Sequence, residues 1–436
     1  MIKSKKILIL TILLLAISLS YCYASDSKYT LNYIKENQKV LDNYPNLGSK
    51  AVFIAEPNTG KIIYEKNAHE KMYPASTTKI LTALVVLENC DLNEKATVSQ
   101  NAIDLVPDGY TNAKLKAGEE LDVKTLLYCL LIPSANEAAN VLAEHVGGDI
   151  DSFVTMCNNR AKELGCETLH FTSPNGIHDD DHYCSAYDLY LIAKECRKHD
   201  IFNEIVKTTE FTVSATNIYS KEDRVLKSTN EMIRSDKNYY NENCTGIKTG
   251  HTSQAGECFV GSSLKDGLEL ISVVMGGKED NGNGMNERFY DTKQLYDFTY
   301  ENYIAEDIAN YGDVATTINV QKATSETASL DLIVESTIST IVPIDLSKEN
   351  IQTSIILDED IYAPIEQNQV LGSITYDVDG LVYTANLLAS HAVEKQPYWL
   401  YNLIVLLVLF IATVFFIKLN KNNTKKKQNN KKQRDY

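Results

Sequence analysis

Hydrophobic and polar residues recur with two different periods along the chain. Apolar runs on both sides of a polar turn at residues 58–60 predict a β-hairpin over residues 51–64. From residue 74 onward, apolar positions recur every three or four residues, which is typical of helices that bury one face. We predict helices over residues 74–87, 121–131, 136–146, 150–164 and 186–198.

The pattern returns to strands after Gly246. Apolar runs predict strands over residues 246–249, 257–262 and 268–275, and helical spacing resumes over residues 291–303. Strands near both ends of this region therefore enclose a helical middle. This order predicts an α+β fold, in which helices pack on an antiparallel sheet and a separate helical lobe is inserted.

A change in composition separates a second region from the first. Residues 304–391 are rich in Thr, Ser, Ile and Val, contain no cysteine and show short alternating runs. They predict a small all-β domain, and residues 392–397 predict a linker. The first domain is accordingly expected over residues 25–303.

The N-terminal residues 1–24 have the features of an export signal peptide. Three lysines precede an apolar run, and small residues end at Ala24, where we expect cleavage. A lipoprotein signal with Cys22 as the lipidated residue is the minor alternative. The rest of the chain is therefore expected outside the cytoplasm.

Residues 398–417 predict one transmembrane helix. The 19 residues from Trp399 to Ile417 carry no charge, and as a helix they would extend about 28 Å, close to the roughly 30 Å hydrocarbon core of a bilayer. Residues 418–436 form a basic tail, which is expected on the cytoplasmic side. A buried core helix is the less favoured alternative.

Composition and charge exclude several classes of function. The chain of 436 residues carries a net charge of −16, and because the signal contributes +3 and the tail +7, the exported body carries −26. Such a surface does not suit a nucleic-acid partner. No Gly-rich phosphate-binding motif occurs. Eight cysteines lie in the first domain without a CxxC spacing, which leaves disulfides and buried free thiols equally open.

Three short motifs could carry chemistry. They are Ser76-Thr77-Thr78-Lys79, Ser134-Ala135-Asn136 and Lys248-Thr249-Gly250. SxxK also occurs at residues 25–28 and 262–265, so the predicted structure around each copy must show which one could be catalytic. Ser76 and Lys79 begin a predicted helix, where positions three apart share a face. A lysine that is buried near another positive group, such as Lys248, can stay uncharged and take the proton of a serine nucleophile.

The second and third motifs each admit a structural explanation. Residues 134–136 lie between two apolar elements, where they could line a cleft or only cap a helix. Residues 248–250 lie in a predicted strand, which could pair at a sheet edge with an extended peptide. Lys248 and Thr249 would then bind a carboxylate and Gly250 would allow close backbone approach. Alternatively, the lysine is solvated before a turn.

Together the three motifs resemble the signature of penicillin-binding proteins and serine β-lactamases. The chain is most similar to the low-molecular-mass D-alanyl-D-alanine carboxypeptidases of peptidase family S11, over about residues 44–391. Residues 74–79, 134–136 and 248–252 carry the resemblance, and residues 171–188 are similar to the family's segment between the second and third motifs. The resemblance implies a β-lactamase/transpeptidase-like fold. The anchor departs from it, since well-known members lie on the membrane through an amphipathic helix.

The resemblance implies a serine carboxypeptidase that removes the terminal D-alanine from peptidoglycan stem pentapeptides, without metal or cofactor. Ser76 would form the acyl-enzyme, Lys79 would accept its proton, and Ser134 would relay a proton to the leaving amine. β-Lactam antibiotics would inhibit by acylating Ser76. The protein would act in cell wall biogenesis and cell shape, at the bacterial cell membrane.

The remaining site residues are also implied by the resemblance. Asn136 would hold the peptide backbone, and Lys248 and Thr249 would bind the terminal carboxylate beside Gly250. The backbone N–H groups of Ser76 and His251 would form the oxyanion hole.

Four alternative functions can be compared with that of a carboxypeptidase. A β-lactamase would need a second base, and the ExxLN pattern is absent between the second and third motifs. The motifs do not exclude an endopeptidase that acts on cross-links. Two histidines and three aspartates at residues 178–182 could suggest a metalloenzyme, but HExxH is absent and a solvated acidic turn is favoured. A non-catalytic, membrane-tethered binding protein is disfavoured because all three motifs are intact.

Overall fold

The computed structural model describes residues 44–219, 223–346 and 351–432. The predicted export signal at residues 1–24 lies outside these ranges. The described chain forms two compact units. The first extends to Glu306 and includes Thr340–Leu346, and the second comprises Asp307–Ser339 and the described residues after 350.

A five-stranded antiparallel sheet forms the centre of the first unit. Its strand order is β2-β1-β9-β8-β7, so β7 lies at an edge. These strands are β1 (Ala51–Ala55), β2 (Ile62–Lys66), β7 (Cys244–Thr252), β8 (Gly256–Lys265) and β9 (Leu268–Gly277). Two small two-stranded sheets accompany the five-stranded sheet. They consist of β3 (Lys95–Thr97) with β4 (Glu120–Asp122) and of β5 (Glu210–Val213) with β6 (Arg224–Lys227).

Eight α-helices belong to the described part of the first unit. They are α1 (Lys79–Asn89), α2 (Gln100–Asp104), α3 (Val123–Leu131), α4 (Asn136–Gly147), α5 (Ile150–Glu163), α6 (Ala186–Cys196), α7 (Asp200–Lys207) and α8 (Glu287–Asn302). Short 3₁₀ turns occur at Ala75–Thr78 and Glu231–Ile233. All but α8 precede β7 in the chain, which confirms the helical insert between the strands.

The sheet separates two hydrophobic cores because successive strand residues face opposite sides. In β9, Ile271 and Val273 join the core shared with helices α1 to α7, while Leu270 and Val274 join the core on the other side. Helix α8 packs on that second side, against β8 and β9. This arrangement confirms the predicted α+β fold, with helices on an antiparallel sheet and a helical lobe.

The start of the first predicted helix differs from the expectation. Ala75–Thr78 forms a 3₁₀ turn, and the α-helix begins only at Lys79. Two hydroxyl groups bond back to backbone oxygens: Thr77 Oγ1 donates to Pro74 O at 2.8 Å and Thr78 Oγ1 to Ala75 O at 2.8 Å. Such local bonds compete with α-helical bonding, which explains the tighter turn.

The cysteines, for which the sequence left two alternatives, are free thiols from Cys90 to Cys258. Seven are buried, and Cys90 is half-buried. Burial raises the pKa of Cys129 to about 12 and that of Cys244 to about 11. These thiols therefore act as small core residues.

The second unit confirms the small all-β domain. Its five-stranded antiparallel sheet has the order β11-β12-β16-β15-β14. The strands are β11 (Val314–Asn319), β12 (Ser329–Val334), β14 (Gln352–Leu357), β15 (Val370–Val378) and β16 (Leu381–Ala389). A separate two-stranded sheet pairs β10 (Tyr303–Ala309) with β13 (Ile338–Pro343).

The described chain ends in the long helix α9 (Tyr398–Lys432). Within it, Tyr401–Lys425 is the one helical stretch of the described residues that is long and apolar enough to cross a membrane. Its side chains are exposed throughout, including Phe410 at 67%. A core helix of a soluble domain would bury such residues, so this pattern disfavours the alternative of a buried helix.

Candidate active site

The 3₁₀ turn places Ser76 and Lys79 one above the other. A 3₁₀ helix has three residues per turn, so side chains at positions i and i+3 overlie. Lys79 Nζ lies 2.9 Å from Ser76 Oγ. Ser76 is half-buried and Lys79 fully buried. The predicted contact between this hydroxyl and this amine is therefore present, although the helix around it is of a different type.

Besides Ser76, two carbonyl oxygens surround the amine of Lys79. Its Nζ lies 2.8 Å from Asn136 Oδ1 and 2.6 Å from the backbone oxygen of Asn175. An uncharged amine has two N–H bonds and one lone pair. When the N–H bonds are donated to these two oxygens, the lone pair is left for the hydroxyl of Ser76. The arrangement suits an amine that receives a proton from this serine.

The electrostatic surroundings favour an uncharged Lys79. Burial holds the pKa of Lys79 well below its usual range, and the positive charge of Lys248 lowers it further. The carboxyl group of Glu137 has the smaller, opposite effect. Both causes expected from the sequence, burial and Lys248, are thus present.

The second motif joins helices α3 and α4 and lies beside Lys79. Ser134 has a positive φ of 69°, and its buried Oγ makes no hydrogen bond with any described residue. Helix α4 is preceded by Ala135, without a side-chain cap. Asn136 donates through Nδ2 to Thr111 O at 2.9 Å, which turns its Oδ1 towards Lys79. The capping explanation for this motif is therefore wrong.

The third motif lies on the edge strand β7, as expected. Lys248 is fully buried and donates to the backbone oxygen of Thr249 at 2.8 Å. Burial, and to a smaller degree Arg288, lower the pKa of Lys248 to about 7. The explanation of Lys248 as a solvated lysine is wrong. A Cβ atom at Gly250 would lie 2.8 Å from Pro74 O and 3.1 Å from Ser76 N. The close approach at this glycine is therefore made by the turn that carries Ser76.

One cleft of about 580 Å³ brings the motifs together. From the predicted set, the residues that line it are Ser76, Ser134, Thr249, Gly250 and His251. Lys79, Asn136 and Lys248 are buried behind the cleft wall. Additional lining comes from the loop at residues 108–111, from Thr229 and from Arg288.

Three residues that contribute to the site were not predicted from the sequence. Asn175 lies in the segment noted for its family resemblance, but its backbone contact with Lys79 has no sequence signal. Glu137 follows the second motif directly and accepts hydrogen bonds from the backbone N–H groups of Ala113, at 2.6 Å, and Leu115. It thereby holds the loop beside the cleft.

Arg288 is the third missed residue. Its Nη1 donates to the backbone oxygen of Gly250 at 3.3 Å and lies 2.6 Å from Glu257 Oε2. The same carboxylate lies 2.7 Å from His251 Nδ1 through its other oxygen. A guanidinium group therefore faces the same cleft as Thr249. Arg288 lies in α8, far from the motifs in sequence, so no pattern indicated it.

Residues 178–182 only partly form the solvated acidic turn that was expected. The three aspartates are exposed, but His182 is 2% exposed and hydrogen-bonded. The interpretation of His182 as a solvated residue is wrong, because its ring packs on Phe171 with 4.5 Å between ring centres. In the described parts of the chain, no group of three or more His, Cys, Asp or Glu side chains is placed to hold a metal ion.

Two family profiles match the chain. The D-alanyl-D-alanine carboxypeptidase family, Peptidase S11, matches residues 38–279, which is more than half of the chain. The profile described as penicillin-binding protein 5, C-terminal domain, matches residues 304–395. The first match includes all three motifs, and the second includes the β-sheet unit.

Individual relatives agree with these profiles. The D-alanyl-D-alanine carboxypeptidase DacF of Bacillus subtilis is 29% identical over 80% of this chain and 86% of its own length. DacA of Escherichia coli K12 is 27% identical over 78% and 82%. Among solved structures, penicillin-binding protein 3 of Streptococcus pneumoniae, titled a peptidoglycan synthesis regulatory factor, has 25% identity and a TM-score of 0.65 over 80% of this chain and all of that one. Penicillin-binding protein 5 of Haemophilus influenzae, at 24% identity, has a TM-score of 0.62 over 80% and 99%, and supports the fold.

Proposed function

The chain belongs to the D-alanyl-D-alanine carboxypeptidases of peptidase family S11, and from this premise we propose that Ser76 is the nucleophile of its acyl-transfer reaction. The protein is a serine-type, penicillin-binding carboxypeptidase with a peptidoglycan-related function. Our proposal assigns the steps of that reaction to residues. The observation that carries it is the 2.9 Å contact between Ser76 Oγ and the fully buried amine of Lys79.

Acylation begins when Ser76 Oγ attacks the carbonyl carbon between the last two D-alanines. Its proton passes to the lone pair of Lys79 Nζ, which the oxygens of Asn136 and Asn175 direct towards the hydroxyl. The backbone N–H groups of Ser76 and His251 stabilise the oxyanion. A neutral lysine is a competent base, because its unprotonated amine has a lone pair that can take the hydroxyl proton.

Collapse of the tetrahedral intermediate breaks the carbon–nitrogen bond of the scissile peptide. The leaving amine takes the proton that Lys79 received, and Ser134 relays it. Ser134 suits this role because its buried hydroxyl has no hydrogen-bond partner among the described residues and lines the same cleft as Ser76. Free D-alanine departs, and water then hydrolyses the ester and restores Ser76.

The carboxyl terminus of the substrate binds at the β7 side of the cleft. Thr249 supplies a hydroxyl, and Lys248 supplies positive charge from behind the strand. We add Arg288 to this group, because its guanidinium lines the cleft and touches the backbone of Gly250. Two positive charges beside one hydroxyl favour a carboxylate ligand. Penicillins carry a carboxylate in a similar position relative to their amide, and their opened ring stays attached to Ser76.

Mass spectrometry of the penicillin adduct tests the proposal. The full-length protein in detergent is treated with benzylpenicillin, and peptide mapping locates the added mass. We expect one adduct, on the peptide that contains Ser76, and none in Ser76→Ala. Ser262→Ala is the matched control: Ser262 has the same SxxK spacing but is buried in β8 and bonded to Thr245. An adduct that persists in Ser76→Ala would show that another serine is the nucleophile.

We also propose that the protein is anchored by a single membrane span. We keep residues 398–417 as the span, residues 418–436 as a cytoplasmic tail, and residues 25–303 and 304–391 as exported domains. The exposed, apolar surface of the helix at Tyr401–Lys425 supports this. A protein that ends before residue 398 should leave the membrane fraction in carbonate-washed cells, and protease added outside should digest the full-length body but spare the tail. A truncated protein that still sediments with membranes would contradict the proposal.

A further inference from the structure

The turn that carries Ser76 has an unfavourable backbone conformation at its first residue. Ala75 has a φ of 48°, in the left-handed region that is unfavourable for a residue with a Cβ atom. A conformation of this kind persists only where neighbouring groups restrain it. The backbone oxygen of Ala75 accepts from Thr78 Oγ1 at 2.8 Å. Thr78 is therefore one restraint on the turn, and its own position matters for Ser76.

His182 holds the hydroxyl of Thr78. Its Nε2 lies 2.8 Å from Thr78 Oγ1, and its Nδ1 accepts from the backbone N–H of Thr172 at 3.0 Å. Burial lowers the pKa of His182 to about 3, so the ring is neutral and carries one N–H. Because Nδ1 accepts, the proton is assigned to Nε2, which donates to Thr78. Three hydrogen bonds therefore form a chain. The backbone N–H of Thr172 donates to His182, His182 donates to Thr78 Oγ1, and Thr78 Oγ1 donates to the backbone oxygen of Ala75.

The segment that supplies His182 supports the turn at a second point. Gly176 lies in close contact with Ala75, since a Cβ atom at Gly176 would lie 2.0 Å from the backbone oxygen of Ala75. The preceding residue, Asn175, offers its backbone oxygen to Lys79. The ring of His182 is itself fixed, parallel within 5° to that of Phe171. One segment, residues 171–182, therefore contacts both the turn of the nucleophile and the amine of its base.

We propose that His182 is a positioning residue for Ser76, which acts through the hydroxyl of Thr78 and touches neither substrate nor reacting atoms. The ring fixes the 3₁₀ turn in the conformation that aligns Ser76 Oγ with Lys79. This inference rests on the proposed function, in which Ser76 is the nucleophile.

The test compares acylation by a fluorescent penicillin in full-length variants in detergent. His182→Phe keeps a ring that can pack on Phe171 but removes both hydrogen bonds. Thr78→Val keeps the shape of Thr78 but removes its hydroxyl. We expect each to slow the first-order acylation step by on the order of tenfold to a hundredfold, because displacing a reacting group by about 1 Å costs up to a hundredfold. The dissociation constant of the penicillin before acylation should stay unchanged.

A variant that combines His182→Phe with Thr78→Val tests whether His182 acts through Thr78. We expect His182→Phe to cause no further loss in the Thr78→Val background. His182→Gln, which can still donate to Thr78, should recover most of the acylation rate. His170→Phe is the control, since His170 directly precedes this segment and is exposed. Complete labelling of each variant at long times shows that the protein is folded.

Three results would overturn the proposal. These are a wild-type acylation rate in His182→Phe, deficits that add in the double variant, and a His182→Gln variant as slow as His182→Phe. A change confined to the penicillin dissociation constant would also count against it. Persistent labelling of Ser76→Ala is a different failure, since it would refute the assignment of the nucleophile whatever the behaviour of His182.

Discussion

Gly250→Ala is the most direct test of how the edge strand supports the nucleophile. Gly250 has no positive φ, so alanine suits its backbone and the effect must come from the added methyl group. This Cβ would lie 2.8 Å from Pro74 O and 3.1 Å from the nitrogens of Ser76 and Thr77. All three are backbone atoms, which cannot rotate away as a side chain could. Strand β7 and the turn at Ala75–Thr78 must therefore move apart.

The size of the movement follows from these contacts. Ordinary Cβ contacts begin near 3.4 Å, so the separation from Pro74 O must increase by about 0.6 Å. The turn carries Ser76, and β7 carries the proposed oxyanion donor of His251, so the displacement separates two groups that act on one carbonyl. Misplacement of about 1 Å costs on the order of a hundredfold, or about 2.7 kcal/mol of transition-state stabilisation. Overpacking should lower the free energy of unfolding by roughly 1–3 kcal/mol.

Rapid-mixing measurement of penicillin acylation, with thermal unfolding of the same samples, checks this prediction. Gly277→Ala is the matched control: it also adds a methyl group to a buried glycine of the same sheet. Its two shortest contacts are with the side chains of Glu287 and Ser49, at 3.1 and 3.2 Å, and its third is with the backbone oxygen of Glu257 at 3.3 Å. We expect both variants to be destabilised and only Gly250→Ala to acylate slowly. If Gly250→Ala acylates at the wild-type rate, the contact between β7 and the turn does not set the geometry of the reaction.

Four further predictions concern charge and packing. Glu137→Gln removes the charge that raises the pKa of Lys79. In a plot of the acylation rate against pH, the fall in rate on the acidic side should therefore move to lower pH. A fall at the wild-type pH would contradict this. Since the pKa of Lys248 is about 7, the affinity for benzylpenicillin should fall as pH rises through that value, whereas the affinity for its methyl ester should not. Arg288→Gln should move this fall to higher pH, because Arg288 lowers the pKa of Lys248. Phe153→Ala empties a fully buried core position and should cost about 3–5 kcal/mol in denaturant unfolding, with acylation of the folded protein unchanged.

Much of the fold follows from the sequence because it depends on periodic burial. The continuous apolar runs of β1 and β9 reflect two cores on opposite faces of one sheet, and the helical spacing reflects one buried face. The short two-stranded sheets β3–β4 and β5–β6 were not predicted. Their strands are three or four residues long, which is too short for a period to be recognised. The helix predicted from residue 291 begins four residues earlier, after the cap Asn286, because capping overrides the apolar pattern there.

The candidate site also contains some residues that the sequence could predict and others that it could not. Side chains that act through their own chemistry, such as Ser76, Lys79 and Lys248, could be selected from motifs. Groups that act through the backbone or by burial could not. Asn175 contributes a carbonyl oxygen that every residue type possesses, and His182 was hidden among exposed aspartates. Their roles depend on contacts with residues about a hundred positions away, which periodicity does not report.

The proposed reactivity of Lys79 depends on the type of its partners as much as on its burial. Its three hydrogen-bond partners come from residues 3, 57 and 96 positions away in the chain. Each is an uncharged oxygen, so together they orient the amine without supplying the negative charge that would keep it protonated. The carboxyl group of Glu137, which raises the pKa of Lys79, is engaged by two backbone N–H groups of the cleft loop, which share its charge. The amine of Lys79 can therefore be both fixed in position and unprotonated, because the groups that form hydrogen bonds with it are uncharged.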